Sequence, residues 1–515
     1  MKWIYLPPLL IYSSAGVSGL TNIVGIFFLK DYLNLSAAFI ASIGFWAGIP
    51  WALKMPVGFL VDKFWGYKNY LVYVGAIVIF ISLFIMYLLL INRPYMEMYL
   101  PSETWFIIST ILTPVGYVIQ DVVADAMTVE AVETNSDVNN DKVLIKDNLD
   151  SQQIKKEHTL VQMYGRFAII FGSLIVSLVN ILMFKGIDKE DKDMVIDIYA
   201  DIYLISLAIP FLSITGVIIS SILRKGKRTN KKYKQFNSLD HKIFLGSIVF
   251  VFTAIILGGF KIPFSQEIIL FISLLLISIL MFFLTQTLEK KQRYSIVGTA
   301  IIIFIYRSLP SPGPGISWFE IDVLRFDQSF LSVLSFSAAL ITLLGMILFK
   351  NVMIKSSIPK LFLFLSIISA FLYIPSLLMY YGVHEYTSVI TKGIVDARFI
   401  ALINTAVESP ISQIAMIPLL AWIARNAPMR YKATFFAVFA SFTNLALSTK
   451  ELATKYLNQI FIVKREVRDL ETEKIIETAD YSSLDGLLIS VISIALILPI
   501  ITIYVVQKSK FKSRD

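Results

Sequence analysis

Apolar residues run almost uninterrupted for about 20 positions at a time along most of this 515-residue chain. A helix of that length crosses a hydrocarbon core of roughly 30 Å. In hydrocarbon the backbone must satisfy its own polar groups, which leaves helices or closed barrels. The runs lie near 8–29, 37–61, 69–91, 104–130, 159–184 and 198–223. A second series lies near 243–260, 265–288, 294–309, 328–349, 361–381, 396–424, 432–450 and 486–507. They predict an all-α polytopic membrane protein of about 14 transmembrane helices. The segment 294–309 is short and runs into Pro310, Pro312 and Pro314. Charged residues make up 16% of the chain, against roughly 25% in ordinary globular domains, too few to coat a soluble protein.

The formal charge of +9 sits mainly in loops, which makes it a topology signal and not a nucleic-acid surface. Arg224, Lys225, Lys227, Arg228, Lys231, Lys232, Lys234 and Lys242 crowd one central loop. Loops in phase with it carry Lys63 and Lys68, then Lys290, Lys291 and Arg293, then Lys350, Lys355 and Lys360. Loops of opposite phase are poor in basic residues, so both termini are expected in the cytoplasm. The charged stretch 452–484 then reads as a long outside loop. The resulting organisation is an N-terminal six-helix half (1–223), a basic cytoplasmic loop (224–242), an extra hydrophobic helix pair (243–293) and a C-terminal six-helix half (294–515). Two such halves are the pattern of parallel-repeat transporters. In the extra pair the charges between 243 and 288 are Lys261 and Glu267, both near the turn, so a peripheral hairpin is expected.

Chemistry at membrane depth narrows the function. Lys54, Asp121, Asp125, Arg166, Arg307, Arg398 and Glu408 lie within or near the ends of apolar spans. At roughly 3 kcal/mol each, their exposure to lipid would cost on the order of 20 kcal/mol, so they must pair or line a wet cavity. Asp121 and Asp125 are four apart and share a helix face, with Gln120 beside it. Two carboxylates in one cavity raise the proton affinity of at least one, which suits proton coupling. The plainer reading is that these acids neutralise Lys54 or Arg166 to hold the bundle. Gly44-x-x-x-Gly48 permits close helix approach. The chain has no cysteine, and His158, His241 and His384 lie at or beyond span ends, so neither metal site nor cofactor is expected. No H-E-x-x-H or G-x-S-x-G motif supports a membrane enzyme, the alternative from another class.

Several stretches resemble known families. GFLVDKFWGYK (Gly58–Lys68) is similar to the loop motif of the major facilitator superfamily. There Gly58, Asp62, Lys63, Gly66 and Lys68 would form a conformational latch. PWALKMPVGFLVD (Pro50–Asp62), IQDVVADAMTVE (Ile119–Glu130) and YRSLPSPGPGISWFEIDVLRFDQSFLS (Tyr306–Ser332) resemble the folate–biopterin transporters of that superfamily. ISQIAMIPLLAWIARNAPMRYKATFFAVFASFTNLA (Ile411–Ala446) extends the resemblance. It implies a major facilitator fold with a central cavity, and proton-coupled uptake of folate or pterin. Lys54, Asp121, Asp125, Arg307 and Gln413 fall in the family's motifs. The extra helix pair departs from a twelve-helix facilitator. The D-x-x-x-D-A element also resembles muropeptide permeases, and relatives carry S-adenosylmethionine, so a permease for either is the runner-up.

The expected solute-binding set is therefore Lys54, Gln120, Asp121, Arg166, Arg307 and Gln413, with Asp121, Asp125 and Glu408 for the coupling proton. The expected location is the cell inner membrane. Reporter fusions at Thr229 and Ser513 should both report cytoplasm, and one at Thr472 the outside. Opposite sidedness for the first two would overturn an even number of spans.

Overall fold

The computed structural model describes residues 3–32, 36–52, 67–140, 147–185, 192–223, 262–286, 288–349, 357–411, 432–465, 467–468 and 475–513. It also describes scattered positions between these, among them 54, 57, 61, 245, 249, 252, 253, 256, 415, 416, 419 and 422. The helices are α1 (Leu6–Val17), α2 (Asn22–Tyr32), α3 (Ala37–Ala52), α4 (Lys68–Ile91), α5 (Arg93–Glu97), α6 (Ser102–Asn140), α7 (Asp147–Met183), α8 (Lys192–Ser206) and α9 (Ile209–Leu223). Next come α10 (Ser265–Thr285), α11 (Lys290–Arg307), α12 (Pro314–Asp322), α13 (Gln328–Leu348), α14 (Ile358–Phe371) and α15 (Ile374–Tyr380). The series closes with α16 (Val383–Ile390), α17 (Ala397–Glu408), α18 (Lys432–Ile460) and α19 (Leu484–Lys508). Among the described residues nine helical stretches are long and apolar enough to cross a membrane.

Burial along α4 shows what solvent these helices face. Tyr70, Val74, Ile77, Ile81 and Phe84 are exposed at helical spacing, while Val72, Ala76, Ile79, Leu83 and Met86 are buried on the opposite side. Both faces are apolar, which fits a helix packed against protein on one side and lipid on the other. Local signals set several helix starts. Asp327 caps α13 by accepting from the Phe330 N–H (2.7 Å), and Asp396 caps α17 through Phe399 (2.8 Å).

The chain forms two compact units: Met1–Asn22 with Lys54–Leu245, and Ile23–Leu53 with Gly246–Asp515. In the first, α1 packs on α6, α7 and α9, and α4 packs on α6, α8 and α9. The crossing of α1 and α7 depends on Gly16: a Cβ there would stand 2.0 Å from the Ile169 carbonyl oxygen. The Ser82 hydroxyl joins α4 to α6 by donating to the Ser109 carbonyl (2.8 Å) and contacting the Thr113 hydroxyl (2.6 Å).

In the second unit α3 lies along α18, with Gly44 facing Glu451 and Gly48 facing Ser448. The expected packing role of this glycine pair is what the structure has. The segment ending in three prolines proves to be a broken helix: α11 stops at Arg307, and α12 resumes at Pro314 after Gly313 at φ 72°. Backbone groups freed by the break are met by α18. Asn458 donates to the Pro312 carbonyl (3.2 Å), and the Ser311 N–H donates to the Thr454 hydroxyl (3.1 Å). Helix α10 is tied in by polar bonds as well as apolar packing. Gln266 donates to the Ser42 hydroxyl (2.5 Å) of α3 and accepts from Lys455 (2.9 Å) of α18, whose neighbour Tyr456 donates to Glu267.

The stretch 452–484 is not one long loop. Helix α18 continues through Ile460, burying Leu452, Thr454 and Asn458. Beyond it, the short strands β1 (Val467–Arg468) and β2 (Ile475–Glu477) pair antiparallel. The high charge of the whole stretch hid a last helical segment whose one charge, Lys455, is paired with Glu267 (3.5 Å).

Gly16→Ala should force α1 and α7 apart and destabilise the protein by about 1–3 kcal/mol, the usual range for overpacking. Thermal unfolding in detergent measures it; an unchanged melting temperature would mean that the helices separate without loss.

Candidate functional site

The first unit gathers ionisable side chains from four segments. Lys54 donates to Asp121 Oδ2 from its ammonium and lies 3.9 Å from Asp125 Oδ2. Both acids come from α6, one turn apart and on one face, as their spacing requires. Tyr12 of α1 completes the group by donating its phenol to Asp125 Oδ1 at 2.5 Å. Arg166, near the middle of α7, lies within electrostatic reach of Tyr12, Lys54 and Asp125.

Accessibility divides the group. Lys54 and Asp121 keep 16% and 15% of their side-chain surface, whereas Asp125 keeps 36% and Tyr12 is buried. A shielded ion pair therefore stands next to a carboxylate that solvent or solute can approach. One ammonium faces two carboxylates, so the trio carries an excess negative charge when both acids are ionised. An anionic solute group drawn to Lys54 would compete with Asp121, and a proton on either acid would relieve the repulsion left behind.

Gln120 is turned about 100° from Asp121 around α6. It is buried, and donates to the Val72 carbonyl of α4 (3.2 Å) and the Ser213 hydroxyl of α9 (2.8 Å). Lys68, the first residue of α4, is buried. Gly58, Asp62, Lys63, Gly66 and Gln413 lie outside the described residues.

Two candidates belong to the second unit. Arg307 ends α11, with Nη1 on the Met416 sulfur at 3.1 Å. Glu408 ends α17, within electrostatic reach of Lys450 of α18 and of Glu320 of α12. Arg398 is paired with Asp327 (3.4 Å). Sequence reasoning missed Tyr12 and Glu320. Tyr12 is one aromatic among many in an apolar run, and its only signal was a hydroxyl at membrane depth.

The model of the BT1 family matches residues 15–514. The chain belongs to the BT1 family, that of the folate–biopterin transporters. Folate transporter 2 of Plasmodium falciparum (isolate 3D7) is 23% identical over 164 residues, 32% of this chain and 35% of that protein. A relative from Plasmodium berghei (strain Anka) is 24% identical over the same length and shares. The chain thus matches about a third of the length of these curated relatives.

Among solved structures, a POT family transporter in complex with a thioalcohol-conjugated peptide superposes with a TM-score of 0.64 at 10% identity, covering 99% of this chain and 96% of that one. A POT family transporter in complex with 5-aminolevulinic acid gives 0.62 at 10% identity, with the same coverage. Identity that low speaks to fold alone. The BT1-family chain shares the polytopic helical fold of these POT family transporters.

Removing Lys54 leaves two neighbouring carboxylates without their shared cation. Lys54→Met should cost about 3 kcal/mol of stability, and adding Asp121→Asn should recover part of it. Unfolding of the wild type and the two variants in detergent checks this; equal stability of the single and double variants would mean that the pair is not coupled.

Proposed function

We propose that this BT1-family protein takes up folate or a pterin across the cell membrane by alternating access, with a proton as the coupling ion. The observation that carries the reading is the single Lys54 ammonium shared by Asp121 and Asp125 on one face of α6. The Plasmodium relatives bearing the name folate transporter point to the same solute class.

Folate carries two carboxylates on its glutamate tail and a donor-rich pteridine edge. In this reading the tail displaces Asp121 from Lys54, with Arg166 as the second cation, and the freed acids retain a proton. Solute and proton thereby bind together. The proton drives transport because the outward and inward states hold it with different affinity. In the second unit, Arg307 and Gln413 are the proposed solute contacts and Glu408 serves a further protonation step. Gly58, Asp62, Lys63, Gly66 and Lys68 form the cytoplasmic latch. Both termini face the cytoplasm, and in a bacterial cell the membrane is the inner one.

Uptake of labelled folate and of a tail-less pterin into vesicles holding the purified protein tests this. An inward proton gradient should drive accumulation, and a protonophore should collapse it. Asp125→Asn should abolish accumulation while leaving solute exchange partly intact. Lys54→Ala should weaken folate ten- to a hundred-fold, about 1.5–3 kcal/mol for one charge-assisted contact, and the pterin far less. Sodium-driven uptake indifferent to pH would remove the proton, and equal losses for both solutes would remove the tail from Lys54.

A further inference from the structure

Asp121 and Asp125 are chemically identical, share one helix face and face the same ammonium, yet their surroundings differ. Asp121 accepts the hydrogen bond from Lys54, while Asp125 Oδ2 stays 3.9 Å away. The difference lies on the other side of Asp125. Its Oδ1 accepts from the Tyr12 phenol at 2.5 Å, which turns the carboxylate toward α1.

The phenol is itself held in place. Tyr12 is buried, and its ring edge lies against Gly165 of α7, where a Cβ would come within 2.8 Å of Cε2 and 2.9 Å of Cδ2. Gly165 precedes Arg166, so one turn of α7 both seats the phenol and supplies the second cation of the site. The charged and titratable groups acting on Asp125 are Tyr12 from α1, Asp121 from its own helix, Lys54, and Arg166 from α7.

We propose that Tyr12 is the positioning residue that separates the roles of the two acids, holding Asp125 away from Lys54 so that Asp125, and not Asp121, exchanges the coupling proton. The inference rests on the proton-coupled reading above and adds the residue that selects the carboxylate. A phenol donating to a carboxylate favours the ionised form. The bond therefore keeps the acid ready to release a proton after each cycle, and Lys54 remains paired with Asp121 until solute arrives.

The test is an infrared pH titration of the protonated-carboxyl stretch in the purified full chain, without solute, for wild type and variants. Asp125→Asn should remove a titrating band, which assigns it. Tyr12→Phe should keep that band and move its midpoint up by about one pH unit, a tenfold change in proton affinity for one lost charge-assisted bond. Proton-driven folate uptake should shift toward higher pH by a similar amount, while the melting temperature stays close to wild type. Gly165→Ala crowds the ring without removing its hydroxyl, and should move the midpoint in the same direction by less. It serves as the second probe if Tyr12→Phe does not fold. An Asp125 band whose midpoint is unmoved in either folded variant would overturn the role of Tyr12. Loss of the band in Asp121→Asn but not in Asp125→Asn would overturn the assignment of the carboxylate. No titrating band from either acid would remove the proton reading itself.

Discussion

An ammonium group at membrane depth must be neutralised, and in this chain Lys54 is neutralised by acids from a different helix. Insertion scales put an isolated lysine at the centre of a span at roughly 3 kcal/mol, and an unpaired carboxylate near it carries a similar penalty. The Lys54–Asp121 bond removes most of both, so the register between the segment bearing position 54 and α6 is fixed by charge as well as by packing. Helix α6 then brings Asp125 into place one turn on, with α1 and α7 closing around it through Tyr12 and Gly165. The same interaction that permits the charges in the membrane leaves Asp125 Oδ2 3.9 Å from the ammonium, and in the proposed cycle this is the acid that takes the proton.

Stability and function therefore bear on the same side chains. Here Asp125 keeps more than twice the exposed fraction of Asp121, so the second carboxylate stays reachable. The scaffold around it is closely packed: α1 meets α7 at Gly16 without room for a side chain, and α4 is bonded to α6 through Ser82.

Much of this was legible in the sequence because the relevant signals are local. The spacing of Asp121 and Asp125 gives a shared helix face, and their company with Lys54 in apolar runs demands a partner. Gln120 was less legible. Adjacent positions on a helix diverge by about 100°, so standing next to Asp121 in sequence placed it toward α4 and α9. Tyr12 was hidden for the opposite reason: its partner is 113 residues away, and a tyrosine in a span reads as packing. The stretch after Leu452 was misread because charge suggested a loop, while Lys455 of α18 is matched by Gln266 and Glu267 of α10. Long-range pairing of this kind leaves no periodic trace in sequence.

The most direct measurement is the number of protons exchanged when folate binds the purified protein, from calorimetry in buffers of differing ionisation enthalpy. If the solute tail displaces Asp121 from Lys54, binding should take up about one proton near neutral pH, and Asp125→Asn should abolish that uptake while binding persists. Folate binding with no net proton exchange in the wild-type protein would contradict a site in which one lysine is shared between solute and carboxylates.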